Sequence, residues 1–214
     1  MIDPGHDGGN GRHGAQIGRK VNIGNGTKAC DTAGTQTNRG YTESAFTFDV
    51  STRLAALLRA AGATVVLTRP DDRGVGPCIT ERAAIGNRAH AAAAISIHGD
   101  GAPTSGHGFH VIVPHGIGSN DAIVTPSHRL GVAVRDAFHA GTGEPLSSYT
   151  GTRTGGLVAR NDLGGLNLSA VPKVFIECGN MRNATDAARM TDPRWRQKAA
   201  VALAAGFAAY LTGR

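Results

Sequence analysis

The chain predicts an α/β fold, with a twisted, mostly parallel or mixed sheet of about six strands covered by helices on both faces. Three observations carry this reading. Short β-branched runs bounded by Gly or Pro recur at 64–68 (Thr-Val-Val-Leu-Thr), 94–98 (Ala-Ile-Ser-Ile-His) and 173–177 (Lys-Val-Phe-Ile-Glu), the pattern of buried strands. Longer segments between them place apolar residues at helical spacing. No internal repeat or linker divides the 214 residues, of which 40% are hydrophobic, so one domain around one core is expected over 1–214.

The elements follow in order. Met1-Ile2 opens a first short strand that runs into the turn chemistry of Asp3-Pro4-Gly5-His6. Residues 43–61 carry Phe46, Val50, Leu54, Leu57, Leu58 and Ala61 on one helical stripe, and Gly62 closes the helix. Further strands are expected at Phe109–Val113 and Leu157–Arg160. Thr125-Pro126 and Asp192-Pro193 each read as an N-cap followed by Pro at the first helical position. The helices they open present Leu130, Val134 and Phe138, then Trp195, Leu203, Phe207 and Tyr210. Two Gly-rich stretches, 8–42 and 141–156, stand outside this scaffold. Loops of that length are functional, mobile, or plain surface insertions.

Composition narrows the classes. The 31 Gly and 9 Pro call for many turns, yet Val, Ile, Leu and Ala are too abundant for a disordered chain. No apolar run is long enough to span a membrane, and no secretory signal is visible, as in a mature or trimmed domain. The net charge is +6 without any run of Lys or Arg. Nucleic acid is therefore not an expected partner, and an anionic polymer or envelope surface fits the diffuse charge.

Four polar residues end otherwise apolar elements: His6 past the first strand, Glu43 on the buried stripe of its helix, His98 at the tip of Ile-Ser-Ile-His, and Glu177 at the tip of Val-Phe-Ile-Glu. The C-terminal ends of strands in α/β sheets are where ligands bind, and an inward carboxylate needs a partner. Two His and two Glu suit a hydrolytic zinc site. Each residue alone reads equally well as a turn residue, a helix-start carboxylate or a satisfied core histidine. Their spacings form no local metal motif. The remaining histidines, among them His107, His110, His115, His128 and His139, read as turn, strand-flank or helix residues.

Taken in order, Asp3-Pro-Gly-His6, Glu43 opening a helix, Thr68-Arg69-Pro-Asp71, Glu81-Arg82 with Asn87, Ile95-Ser-Ile-His98 and Val171-Pro172 through Glu177-Cys-Gly179 resemble the zinc-dependent N-acetylmuramoyl-L-alanine amidases of bacterial peptidoglycan. The resemblance covers nearly the whole chain. It implies that His6, Glu43 and His98 hold one zinc ion and that Glu177 is the catalytic acid/base. It also implies hydrolysis of the amide between the lactyl group of N-acetylmuramic acid and the L-alanine of the stem peptide. Arg82, Asn87 and Asp100 are expected to contact substrate. Gly179-Asn180 stands where the family usually has Gly-Phe, and Gly99-Asp100 where Asn or Ala is usual, departures that bear on substrate preference.

Two rival readings stay on the table. One is a wall-binding module that has lost catalysis. The other is a thiol amidase using Cys178, although a Cys next to Glu177 on a strand points to the opposite face and is expected to be buried and inert. Peptidoglycan or muropeptide fragments are the expected partners, met outside the cytoplasm (periplasm, cell wall or secreted). No inserted blocking helix is visible between His98 and Glu177, so no obligatory activator is expected, and no separate wall-binding domain; the chain is expected to be a monomer. An oxidising location permits a disulfide. With Cys178 on a core strand, Cys30 and Cys78 are the expected pair.

Overall fold

The computed structural model describes residues 1–151 and 154–213; Thr152 and Arg153, within the Gly-rich stretch 141–156, lie outside the described residues. Strands run β1 (Ile2–Pro4), β2 (Lys20–Asn22), β3 (Thr27–Ala29), β4 (Ala94–Asp100), β5 (His110–Pro114), β6 (Leu157–Arg160) and β7 (Lys173–Asn180). Helices are α1 (Gly14–Gly18), α2 (Glu43–Ala60), α3 (Ile79–Arg88), α4 (Asp121–Thr142), α5 (Gly164–Asn167), α6 (Ala184–Thr191) and α7 (Pro193–Thr212).

The main sheet has the order β1-β4-β7-β5-β6, and β2-β3 form a separate hairpin. β1, β4 and β7 are parallel, β5 is antiparallel to β7, and β6 is parallel to β5. Five strands make this sheet rather than about six. The 64–68 run does not become a sixth strand: it meets β1 through a single bridge, Ile2 to Leu67, and two backbone bonds. Its β-branched composition is that of a strand, but it lies beyond the short edge strand β1, which offers three residues to pair with.

Alternation along β7 separates two layers. Val174, Ile176 and Cys178 face the main core, where they meet Phe46, Val50 and Leu54 of α2, Leu130, Val134 and Phe138 of α4, and Leu203 and Phe207 of α7. The helical stripes read from the sequence are these contacts. The other face carries Lys173, Phe175 and Glu177 and is covered by α3, α5 and the 8–42 segment. Cys178 is buried in the core layer as a free thiol, and that burial pushes its pKa well up.

Asp192 caps α7 by accepting from the Arg194 N–H, with Pro193 at the first turn, as its dipeptide predicts. Thr125-Pro126 does not start a helix. α4 opens earlier, after Asn120, and Pro126 lies inside it. Asn120 and Asp121 accept from the Ile117 and Gly118 N–H groups and so close the turn before the helix. Burial of Ile123 holds the extra turn in place, and Pro126 forfeits one backbone bond near the helix start.

The 8–42 segment is not structureless: it contains α1 and the β2-β3 hairpin and is pinned to the start of α3 by a Cys30–Cys78 disulfide. The Ile79 N–H donates to the Cys30 carbonyl at 2.7 Å beside it. In the chain-entropy treatment a loop of this size contributes at most about 4 kcal/mol. Reduction is therefore expected to raise amide exchange over residues 28–34 while α2 and β4 stay protected. Equal acceleration in both regions would contradict a local tether.

Candidate active site

β1 ends at Pro4, and the Gly5 N–H donates to the Ile97 carbonyl at 3.0 Å, which holds the following turn against β4. His6 then adopts φ 57°, a left-handed conformation that is strained for a residue with a Cβ. It turns the imidazole across the sheet edge toward Glu43. Gly5 has a steric role, because a Cβ there would fall inside the His98 ring. Gly5→Ala is expected to displace His98 and remove metal binding while the fold persists, checked by metal content and circular dichroism. Full metal content in that variant would contradict the packing argument.

Glu43 is the first residue of α2, whose N-cap Thr42 accepts from the Ala45 N–H. A carboxylate in the first turn is favoured by the helix dipole. Its Oε1 lies 3.0 Å from His6 Nε2, 2.9 Å from His98 Nδ1 and 3.2 Å from the Gly99 N–H, which donates to it. Its Oε2 accepts from the Thr35 N–H at 2.8 Å. Ligand atoms of His6, Glu43 and His98 all lie within 4.8 Å of one another. Burial alone would raise the Glu43 pKa, but the two imidazoles hold it well below the usual carboxylate range. Burial would lower His6, yet Glu43 and Asp31 raise it to about 10. The raised His6 pKa shows that Glu43 and Asp31 favour a positive charge at this point.

The donor set fits a metal in its outer contacts as well. His6 Nδ1 meets the Thr32 carbonyl at 3.0 Å, with Thr32 Oγ1 and Asp31 Oδ1 nearby at 3.2 and 3.6 Å. Such a partner fixes the tautomer and leaves Nε2 as a ligand. His98 stacks on Phe175, ring centroids 3.9 Å apart, which fixes its plane.

Glu177 pairs in register with His98 of β4 and His110 of β5, so its side chain stands beside the His6-Glu43-His98 cluster. Its Oε2 is buried without a hydrogen-bond partner. Burial first, then Glu43 and Asp100, raise its pKa well above the ordinary value. A carboxyl that holds a proton this readily, beside a cluster able to hold a cation, is suited to proton transfer.

The structure brings these four residues together in one cavity of about 400 Å³, which Asp100 and Arg82 also line. Asp100 is half-buried and accepts from the Gly101 N–H. Arg82 is buried, and its guanidinium donates to Asp3, Asp31 and the carbonyls of Pro4, His6, Gly76 and Pro77. Asn87 lies apart from the cavity, tying α3 to the Leu168 carbonyl and the Ala170 N–H. Sequence reasoning missed Asp31, Thr32 and Thr35, which hold the His6 and Glu43 side chains. Phe175 could have been found, since it sits two residues before Glu177 on the same strand face.

A sequence profile described as N-acetylmuramoyl-L-alanine amidase matches residues 1–209. The chain is 43% identical over 213 residues to the N-acetylmuramoyl-L-alanine amidase Rv3717 of Mycobacterium tuberculosis, covering 99% of this chain and 85% of that protein. The crystal structure of the amidase Ami1 from Mycobacterium smegmatis superposes with a TM-score of 0.92 at 42% identity, covering 100% of this chain and 96% of that one. The apo form of Ami1 from Mycobacterium abscessus gives 0.91 at 43% identity, covering 98% and 96%. At 22% identity, AmiC2 of Nostoc punctiforme shares the fold with a TM-score of 0.74, covering 99% and 95%. With the profile spanning the fold and all four site-bearing segments, the chain belongs to the N-acetylmuramoyl-L-alanine amidase family.

Proposed function

We propose that the chain is a zinc-dependent peptidoglycan amidase that cuts between the lactyl group of N-acetylmuramic acid and the L-alanine of the stem peptide. The observation that carries this is the buried His6-Glu43-His98 cluster with Glu177 beside it. His6, Glu43 and His98 would hold zinc, and three protein ligands are the number that leaves a position for water. Zinc bound there supplies Lewis acidity, bringing the pKa of water toward about 7 and polarising the scissile carbonyl.

The protein does the rest. Glu177 takes the proton of the attacking water as the oxygen adds to the lactyl carbonyl, then gives that proton to the departing alanine amine. Its pKa is raised by burial first and then by Glu43 and Asp100, which moves the carboxyl from the ordinary carboxylate range toward the operating pH, where one group serves best as base and then as acid. Thr32 and Phe175 keep the two imidazoles oriented, and the cover of α3, α5 and the 8–42 segment limits water around Glu177. The Cys30–Cys78 bond supports work in an oxidising compartment at the cell wall. Among the described residues no helix is long and apolar enough to cross a membrane. The reading includes a monomer that acts on fragments as well as polymer without an activator.

Purified sacculi incubated with the protein are expected to release stem peptides that begin with a free L-alanine amine, identified by mass spectrometry. Release of disaccharide fragments or of internal peptide pieces would overturn the assignment of the bond.

A further inference from the structure

The cavity that holds the metal-site residues does not end at them. It runs down the same sheet face, past Phe175, to a floor made by Lys173, Asp3, Ser96 and Arg82, with Ile79 and Leu166 as side walls. Lys173 is 1% exposed. Its Nζ donates to Asp3 Oδ2 at 3.1 Å. Asp3 is already saturated: Oδ1 accepts from Thr68 Oγ1 and Arg82 Nη1, and Oδ2 accepts also from Ser96 Oγ. An ammonium carries three donors, and among the described residues Asp3 is the acceptor bonded to this one. Two buried N–H groups are thus left over in a cavity that opens toward Glu177. A buried donor without a partner is costly. Gly165 keeps the approach clear, since a Cβ there would come within 3.3 Å of Lys173 Nζ.

Resting on the amidase reading above, we propose that this floor is a subsite for the free α-carboxyl of the second stem-peptide residue, with Lys173 as its ligand. Shape, reach and charge all point to it. The first is shape: the floor is closed by residues no more than 4% exposed, so a terminal group can enter but a through-going glycan cannot. The second residue of a peptidoglycan stem is a glutamate joined through its side-chain carboxyl, and its α-carboxyl is such a dead-end branch. The second is reach. Ser96, which shares Asp3 Oδ2 with Lys173, lies two residues below His98 on β4, a rise of about 7 Å. From the scissile nitrogen across alanine to the next α-carboxyl is also about 6–7 Å. The third is charge: the spare donors belong to a cation, and an ionised acceptor makes the stronger hydrogen bond. The alanine then lies against Phe175.

The test compares two muramyl dipeptides that differ only at the second residue, α-carboxylate against α-carboxamide. The wild type is expected to favour the carboxylate in kcat/KM by about tenfold. Lys173→Met should erase the preference, bringing the ratio of the two kcat/KM values to about one. Gly165→Val crowds Nζ without touching Asp3, and it should also lower the carboxylate substrate, so the proposal does not depend on Lys173→Met folding. Calorimetric titration of wild type with L-alanyl-D-glutamate and with its α-amide should show the same preference without any turnover. Equal kcat/KM and equal dipeptide affinity in the wild type, or a preference that survives both substitutions, would overturn the subsite. Failure to cleave either substrate would overturn the amidase reading instead, and the dipeptide titration would still decide the subsite.

Discussion

Glu177→Gln is expected to lower kcat by about 10²- to 10⁴-fold, the range for removing a general acid/base, while zinc content stays at the wild-type level. The amide is nearly isosteric with the carboxylate but cannot take up the water's proton. Glu177 also sits beside the cluster rather than in it: His6 and His98 meet Glu43, and Glu177 reaches the site from the neighbouring strand β7. By contrast, Glu43→Ala or His98→Ala removes part of the cation site and should lower metal content itself. Metal analysis beside steady-state kinetics separates the roles. Equal zinc loss in all three variants would mean that Glu177 has been given the wrong one.

Arg82→Met is expected to destabilise the fold by about 3–5 kcal/mol, because breaking a buried pair leaves uncompensated charge behind. Two buried carboxylates, Asp3 and Asp31, lose a guanidinium at 2.9 Å each. The loss should depend on pH with a definite sign. Burial would raise the Asp3 pKa, but Lys173 and Arg82 hold it far below the usual carboxylate range. The contribution is therefore complete above the unfolded-state pKa of about 4 and lost as pH falls below it. Denaturant unfolding at several pH values should show a wild-type advantage that shrinks in acid. A variant with unchanged stability and a raised KM would instead make Arg82 a substrate contact.

What could be read in advance divides along physical lines. The stripe from Phe46 to Ala61 gave α2 because helical periodicity is a property of side-chain type, and it survives in any context. The runs at 94–98 and 173–177 became β4 and β7 for the same reason. The 64–68 run has equal β character, yet strand formation also needs a neighbour with free ladder positions, and β1 is too short to supply them. Pro126 misled because a start signal is local, whereas the start of α4 is set by burial of Ile123 and by two turn-closing carboxamide and carboxylate oxygens. In the site, His6, Glu43, His98 and Glu177 stood out as polar ends of apolar elements. Their holders did not: the Thr32 carbonyl and the Thr35 and Gly99 N–H groups are backbone atoms, which carry no residue signature. Lys173 was visible only as part of a strand. Its interest arises from Asp3, brought to it by the parallel sheet from the far end of the chain.

The proposed function rests on one zinc site built from His6, Glu43 and His98 that drives amide hydrolysis with Glu177. Reconstitution tests it most directly: metal-free protein is titrated with zinc while muropeptide cleavage and bound metal are followed together. Cleavage should be absent at the start, rise linearly and level off at about one zinc per chain, with Glu177→Gln binding the same amount and remaining inactive. Full turnover by the metal-free protein, or activity lost on alkylation of Cys178 while zinc stays bound, would contradict the account.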